Sequence, residues 1–204
     1  MKKLITPVLI LMILILLLIL VFSIPSVAAQ TQVDISKLYN NDGISTAKAP
    51  LTGSLDKGGY SFPADEFPAD GNLYVNKVRF HLANPMASRN NISCTGQVIK
   101  LPKADISKIH VLATAVNGSF IEEMSVKCKD NTLYNVDLAI SDWCVTAQYN
   151  EQVGISFSRR NGPSASQVKC TIWQQTIYLK KSAKTASITL PKNPDIHIFA
   201  MTVE

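Results

Sequence analysis

Period-two alternation of apolar and polar residues runs through most of this chain, and it commits the fold to strands. Val78, Phe80 and Leu82 alternate with Lys77, Arg79 and His81. Phe120, Met124 and Val126 share one face, opposite Ile121, Glu123, Ser125 and Lys127. Tyr134, Val136, Leu138 and Ile140 alternate with Leu133, Asn135, Asp137 and Ala139. The polar linker Lys129-Asp130-Asn131 between the last two runs makes residues 119–128 and 132–140 an expected antiparallel hairpin. Residues 109–116 are apolar on both faces, as a central strand is, and further strands are expected over 168–179, 186–190 and 196–203. Turn signals separate these runs at Asn117-Gly118, Asn161-Gly162-Pro163 and between Pro191 and Pro194. Helical periodicity is nearly absent. The sequence therefore predicts an all-β, antiparallel two-sheet β-sandwich of jelly-roll or galactose-binding-like type. Residues 40–70, rich in Gly, Pro, Asp and Asn, read as long ordered loops over one end of that sandwich.

The N-terminus has a different logic. Lys2 and Lys3 precede an unbroken apolar run over residues 8–22, then Pro25 and the small residues Ser26, Val27, Ala28 and Ala29. Basic, apolar, small-residue cleavage site is the order of a secretory signal. Counted over residues 4–24 the stretch also approaches spanning length, so an uncleaved signal anchor is the alternative. Residues 1–29 are thus a signal peptide or anchor helix, and 30–204 a single domain on the far side of the membrane. The protein is expected to be secreted, or extracytoplasmic and tethered by the N-terminal segment, its one contact with a membrane.

Charge excludes one class. The chain carries 20 Lys+Arg against 15 Asp+Glu. Residues 1–29 hold two of the lysines and no acid, leaving 18 basic against 15 acidic residues in the domain. A surplus of three spread along such a chain builds no strong phosphate-binding field, so nucleic acid is not an expected partner. All four cysteines, Cys94, Cys128, Cys144 and Cys170, lie in the exported part. An even number in an oxidising compartment suggests two disulfides, in any of three pairings, with free buried thiols the alternative.

Catalytic patterns are missing from the sequence. No HxH, HExxH or GxSxG spacing and no Gly-rich phosphate loop occurs. A glycosidase needs two carboxylates across a sugar, and nothing in the spacing of Asp42, Asp56, Asp65, Glu66, Glu122, Glu123 and Asp142 sets two opposite each other. The chain is therefore read as no enzyme. His81 reads as a solvated strand residue, His110 and His197 as hydrogen-bonded core or edge residues.

Several blocks, in order, carry a family resemblance. They are LYNNDGIS at 38–45, GGYSFPA at 58–64, NISCTGQVIKLP at 91–102, VNG at 116–118, LAISDWC at 138–144 and HIFA at 197–200. Together they resemble β-sandwich accessory domains found beside catalytic domains in secreted glycoside hydrolases, over residues 33–204. The resemblance implies a jelly-roll, carbohydrate-binding-like module without catalysis. Here that module is the whole exported chain, so a targeting role implies a separate exported enzyme as partner.

A sugar site needs an aromatic platform beside polar side chains. Tyr39, Tyr60 and Asp65 in the loop-rich region, with Trp173 if exposed, are the candidates. Trp143 reads as a cap on the core. For metal, Asn41 and Asp42 place oxygen donors next to Gly43, with Asp56 as a distant ligand. A structural Ca²⁺ is the cation such donors suit, and no other cofactor is implied; an Asx turn explains the same residues. The expected function is an exported carbohydrate-binding-like protein contacting cell-surface polysaccharide or extracellular glycan. The alternative is a structural or adhesive surface module binding protein partners.

Overall fold

The computed structural model describes residues 29–164, 166–179 and 184–204. The signal or anchor expected over residues 1–29 lies, apart from Ala29, outside the described residues. In chain order the strands are β1 (Thr31–Gln32), β2 (Ile44–Ser45), β3 (Phe62–Pro63), β4 (Asn72–Val75), β5 (Val78–His81), β6 (Ile92–Ser93) and β7 (Val98–Lys100). There follow β8 (Lys108–Ala115), β9 (Phe120–Cys128), β10 (Leu133–Ile140), β11 (Gln152–Phe157), β12 (Cys170–Tyr178), β13 (Thr185–Thr189) and β14 (Ile196–Val203). Two antiparallel sheets carry the fold. The larger has the order β1-β14-β8-β12-β11, with β6 also pairing β14; the smaller has the order β10-β9-β13-β7. The β9–β10 hairpin forms as its alternation predicts, with Lys127 opposite Leu133 and Phe120 opposite Ile140. Asn131 closes its turn at φ 66°, a left-handed conformation Asn tolerates well.

The two faces of the larger sheet bury different cores. On β8, Ile109, Val111, Ala113 and Ala115 point toward the smaller sheet, where they meet Met124, Val126, Leu138, Ile140 and Ile188. Leu112 and Val116 point the other way, into a second cluster with Ile155, Phe157, Ile172 and Phe199. A bulge on β14 between Ile198 and Ala200 changes the parity. Ile196 and Ile198 before it, and Met201 and Val203 after it, belong to the inter-sheet core, whereas Phe199 and Ala200 join the outer cluster.

That outer cluster corrects the expectation for the loops. The 40–70 region does not lie over one end of the sandwich. It runs across one half of the larger sheet's outer face, supplying Ile44, Leu55, Phe62 and Phe67, and the β4–β5 hairpin continues the layer with Val75, Val78, Phe80 and Leu82. The reason is that β8, β12 and β14 are apolar on both faces over this half. Burying each large apolar side chain contributes roughly 1.5–3 kcal/mol, enough to hold an irregular layer against its entropy.

Candidate functional site

The loop layer stops short of the other half of the outer face, and there the chemistry of the strands changes. Along β12 the outward residues are Cys170 and Ile172 under the loops, then Gln174, Thr176 and Tyr178 beyond them. Register places Gln174 beside Leu112, Thr176 beside His110, and Tyr178 beside Lys108. The result is an open groove of about 880 Å³. Gln174, Thr176 and His110 line it with Lys108 and Glu204, and Tyr149, Asn150 and Gln152 stand on the β11 side. The opposite wall is Gln30 with the β4–β5 turn. In that turn Asn76 (φ 48°) and Lys77 (φ 68°) are both left-handed, as a two-residue hairpin of strand-compatible twist requires. Gln30 fixes the wall, its carboxamide donating to the Lys77 carbonyl (3.0 Å) and accepting from the Arg79 N–H (3.1 Å).

Polar order inside the groove is set by a few bonds. Gln174 Nε2 donates to Thr176 Oγ1 (2.8 Å), and His110 Nδ1 lies 2.9 Å from the same hydroxyl. His110 Nε2 is 3.5 Å from Glu204 Oε2 and has no hydrogen-bond partner among the described residues. Burial pushes the His110 pKa down, partly offset by the Glu204 carboxylate. Lys108 Nζ bonds Glu204 Oε1, which holds that carboxyl below its ordinary range and the ammonium above. Tyr178 is 70% exposed at the rim.

The residues singled out from the sequence do not gather in one place. Trp173 is 4% exposed in the inter-sheet core, its indole N–H donating to the Asp142 carbonyl (3.2 Å), so it offers no platform. Tyr39 lines a separate cleft of about 380 Å³. Its hydroxyl donates to the Phe199 carbonyl (3.2 Å), and burial pushes its pKa up to about 12. Tyr60 and Asp65 both meet the arginine pair 159–160. The Arg160 guanidinium lies 3.8 Å from the centroid of the Tyr60 ring, covering a face a sugar would need. Arg159 holds Asp65 through two bonds of 2.7 and 2.9 Å, lowering the carboxyl pKa. Trp143 is buried against Phe62 in the outer cluster.

The side chains considered for metal make hydrogen bonds within the loop layer. Asp42 Oδ1 accepts from Asn90 Nδ2 (2.7 Å) and the Ile44 N–H (3.3 Å). Asp56 Oδ1 accepts from the Tyr60 N–H (3.0 Å), and Asn41 presents its amide nitrogen to the Ser54 carbonyl (3.1 Å). Among the described residues no group of three or more His, Cys, Asp or Glu is gathered as a metal would require. Cys94, Cys128, Cys144 and Cys170 are not bonded to one another in the structure, so the two expected disulfides are not shown.

Two antiparallel sheets packed on an apolar core, with a polar groove on one outer face, define a β-sandwich domain protein. The chain belongs to the AziU2-like β-sandwich domain family, whose match covers residues 29–204. A comparison with curated proteins finds no match. The family match bears on the sandwich alone; the likeness to glycoside hydrolase accessory domains goes no further than the residue blocks that suggested it.

Proposed function

We propose that the protein is an exported, non-catalytic glycan-binding β-sandwich protein, and that the glycan lies in the groove on the uncovered half of the larger sheet. The observation that carries this reading is the lining: Gln152, Asn150 and Gln174 beside Tyr149 and the exposed Tyr178. Sugar hydroxyls both donate and accept, and a carboxamide answers with one acceptor and two donors. Tyrosine rings stack on the apolar faces of pyranoses while keeping a polar edge. Export rests on the order of residues in the N-terminal segment. The only carboxylate lining the groove, among the described residues, is Glu204, already engaged by Lys108, so the two-carboxylate arrangement of a glycosidase is not set up there. A role beside a separate exported glycan-active enzyme follows from the resemblance to accessory domains.

Binding to protein partners has less support. The exposed aliphatic residues Leu51, Met86, Val98, Ile121, Leu133, Val145, Val153 and Val168 belong to different strands and loops, with Glu123 and Asn135 exposed between Ile121 and Leu133. Single exposed apolar residues are normal and make no docking face.

The test is a glycan and polysaccharide binding screen on the full-length chain, followed by Tyr178→Ala and Gln152→Ala. Both side chains are exposed, so the variants should keep the wild-type circular dichroism spectrum. Each is expected to weaken binding by about 10-fold, equivalent to about 1.4 kcal/mol. Unchanged affinity in both variants would move the site elsewhere, and no saturable binding to any glycan would leave the protein-partner reading. Chelation by EDTA is expected to leave the melting temperature unchanged, because the Asn41, Asp42 and Asp56 side chains are held by internal hydrogen bonds. A calcium-dependent rise in melting temperature would return them as ligands.

A further inference from the structure

The sulfurs of Cys144 and Cys170 are 2.8 Å apart, and rigid backbone brings them together. Trp143 N–H donates to the Ala115 carbonyl (2.8 Å), and Thr171 N–H donates to the Trp143 carbonyl (2.7 Å). These bonds seat the segment after β10 between the end of β8 and the start of β12. Asp142 fixes the turn, accepting from Cys144 N–H (2.8 Å) through one oxygen and from Gly118 N–H (3.0 Å) through the other. The two thiols are not equivalent. Cys144 is half-buried and the residues after it are exposed, whereas Cys170 is buried. Arg160, stacked on Tyr60 and 5.8 Å from the Trp143 ring, adds positive charge beside Cys144. We propose that Cys144 and Cys170 are a disulfide-forming pair, Cys144 attacking a disulfide donor of the glutathione type and Cys170 resolving the product. The proposal is independent of the glycan reading.

In the first step the Cys144 thiolate attacks one sulfur of the donor, forming a mixed disulfide and releasing a donor thiolate. Cys170 passes its proton to that thiolate. Its own sulfur then attacks Cys144, closing the Cys144–Cys170 bond and releasing the second donor thiolate, which takes up from solvent the proton that Cys144 gave up on ionising. Two electrons pass from the cysteines to the donor, which leaves as two thiols. The hydrogen bond from Cys170 and the Arg160 charge lower the Cys144 pKa, while the same contact and burial raise that of Cys170. That ordering suits an attacking and a resolving thiol. Cys94, enclosed in the inter-sheet core with its pKa raised by burial, and the buried Cys128 stay reduced.

The full-length chain is incubated with oxidised glutathione, unfolded in N-ethylmaleimide and weighed by mass spectrometry. Maleimide labels are expected to fall from four to two, with tryptic peptides 130–159 and 170–180 linked. Cys170→Ser is expected to stop at one glutathione on Cys144, and Cys144→Ser to keep its three labels. Four labels on the treated wild-type chain, or a linkage that includes Cys94 or Cys128, would overturn the assignment.

Discussion

Replacing Phe62 with alanine is expected to destabilise the protein by about 3–5 kcal/mol. Phe62 is fully buried at a point where four separate elements meet. Its ring packs edge-on against Trp143 from the segment after β10 (5.2 Å between centroids) and Phe199 from the β14 bulge (5.7 Å). It is tilted on Phe157 from β11 (4.4 Å) and edge-on to Phe67 of its own loop layer (6.3 Å). Each such pair contributes about 0.5–1.5 kcal/mol beyond area burial. The neighbours cannot collapse into the cavity, because each is anchored on a different element. Urea unfolding measures the loss as a lower midpoint at unchanged slope. Amides of residues 41–82 should also exchange faster, because this cluster fastens the loop layer to the sheet. A loss below about 1 kcal/mol, which is the range of a surface change, would mean that the layer is held by something else.

The strands were legible because period-two patterns are local. β8 shows apolar residues on both faces and sits in the middle of its sheet, and the β9–β10 hairpin lies within a residue of its expected bounds. Strands of two residues, β1, β2, β3 and β6, are too short to show any period. The bulge at Phe199 is a tertiary choice, in which an extra residue turns Phe199 and Ala200 to the outer face and returns Met201 and Val203 to the inter-sheet core. The site was less legible. Tyr39 and Tyr60 are close in sequence, yet one reaches the Phe199 carbonyl and the other the 160–164 loop. The groove had a readable trace in the outward row Gln174, Thr176 and Tyr178, masked by Trp173 and Ile177 on the opposite face. The Asn76-Lys77 turn offered a second trace, since Asn favours positive φ. No local pattern brings Glu204 to Lys108 and His110, or Cys144 to Cys170.

Acidification from pH 6.5 to 4 is expected to cost about 3 kcal/mol through His197 alone. This residue, on β14, is 2% exposed. Its Nδ1 lies 2.9 Å from Asn91 Oδ1, and Asn91 takes part in the asparagine network that fastens the start of the loop layer. Burial lowers its pKa from 6.5 to about 4; the Leu55 backbone and the Asp195 carboxylate favour the charged form without offsetting that. A base with a depressed folded pKa contributes fully above its unfolded value. As pH falls below 6.5 the unfolded chain takes the proton first, and stability drains until the folded imidazole is also protonated near pH 4. His110, also lowered by burial, adds a contribution of the same sign. Asp34, Asp65, Asp70 and Glu204 have lowered pKa values too, so their contributions disappear at more acid pH. The loss between pH 6.5 and about 5 therefore belongs to His197 and His110, and the carboxyls join it below that. His197→Gln removes the titration while keeping an amide to face Asn91. Its urea midpoint should fall less steeply than that of the wild type between pH 7 and pH 4.5, and parallel curves would mean that His197 is protonated as readily in the folded chain as in the unfolded one.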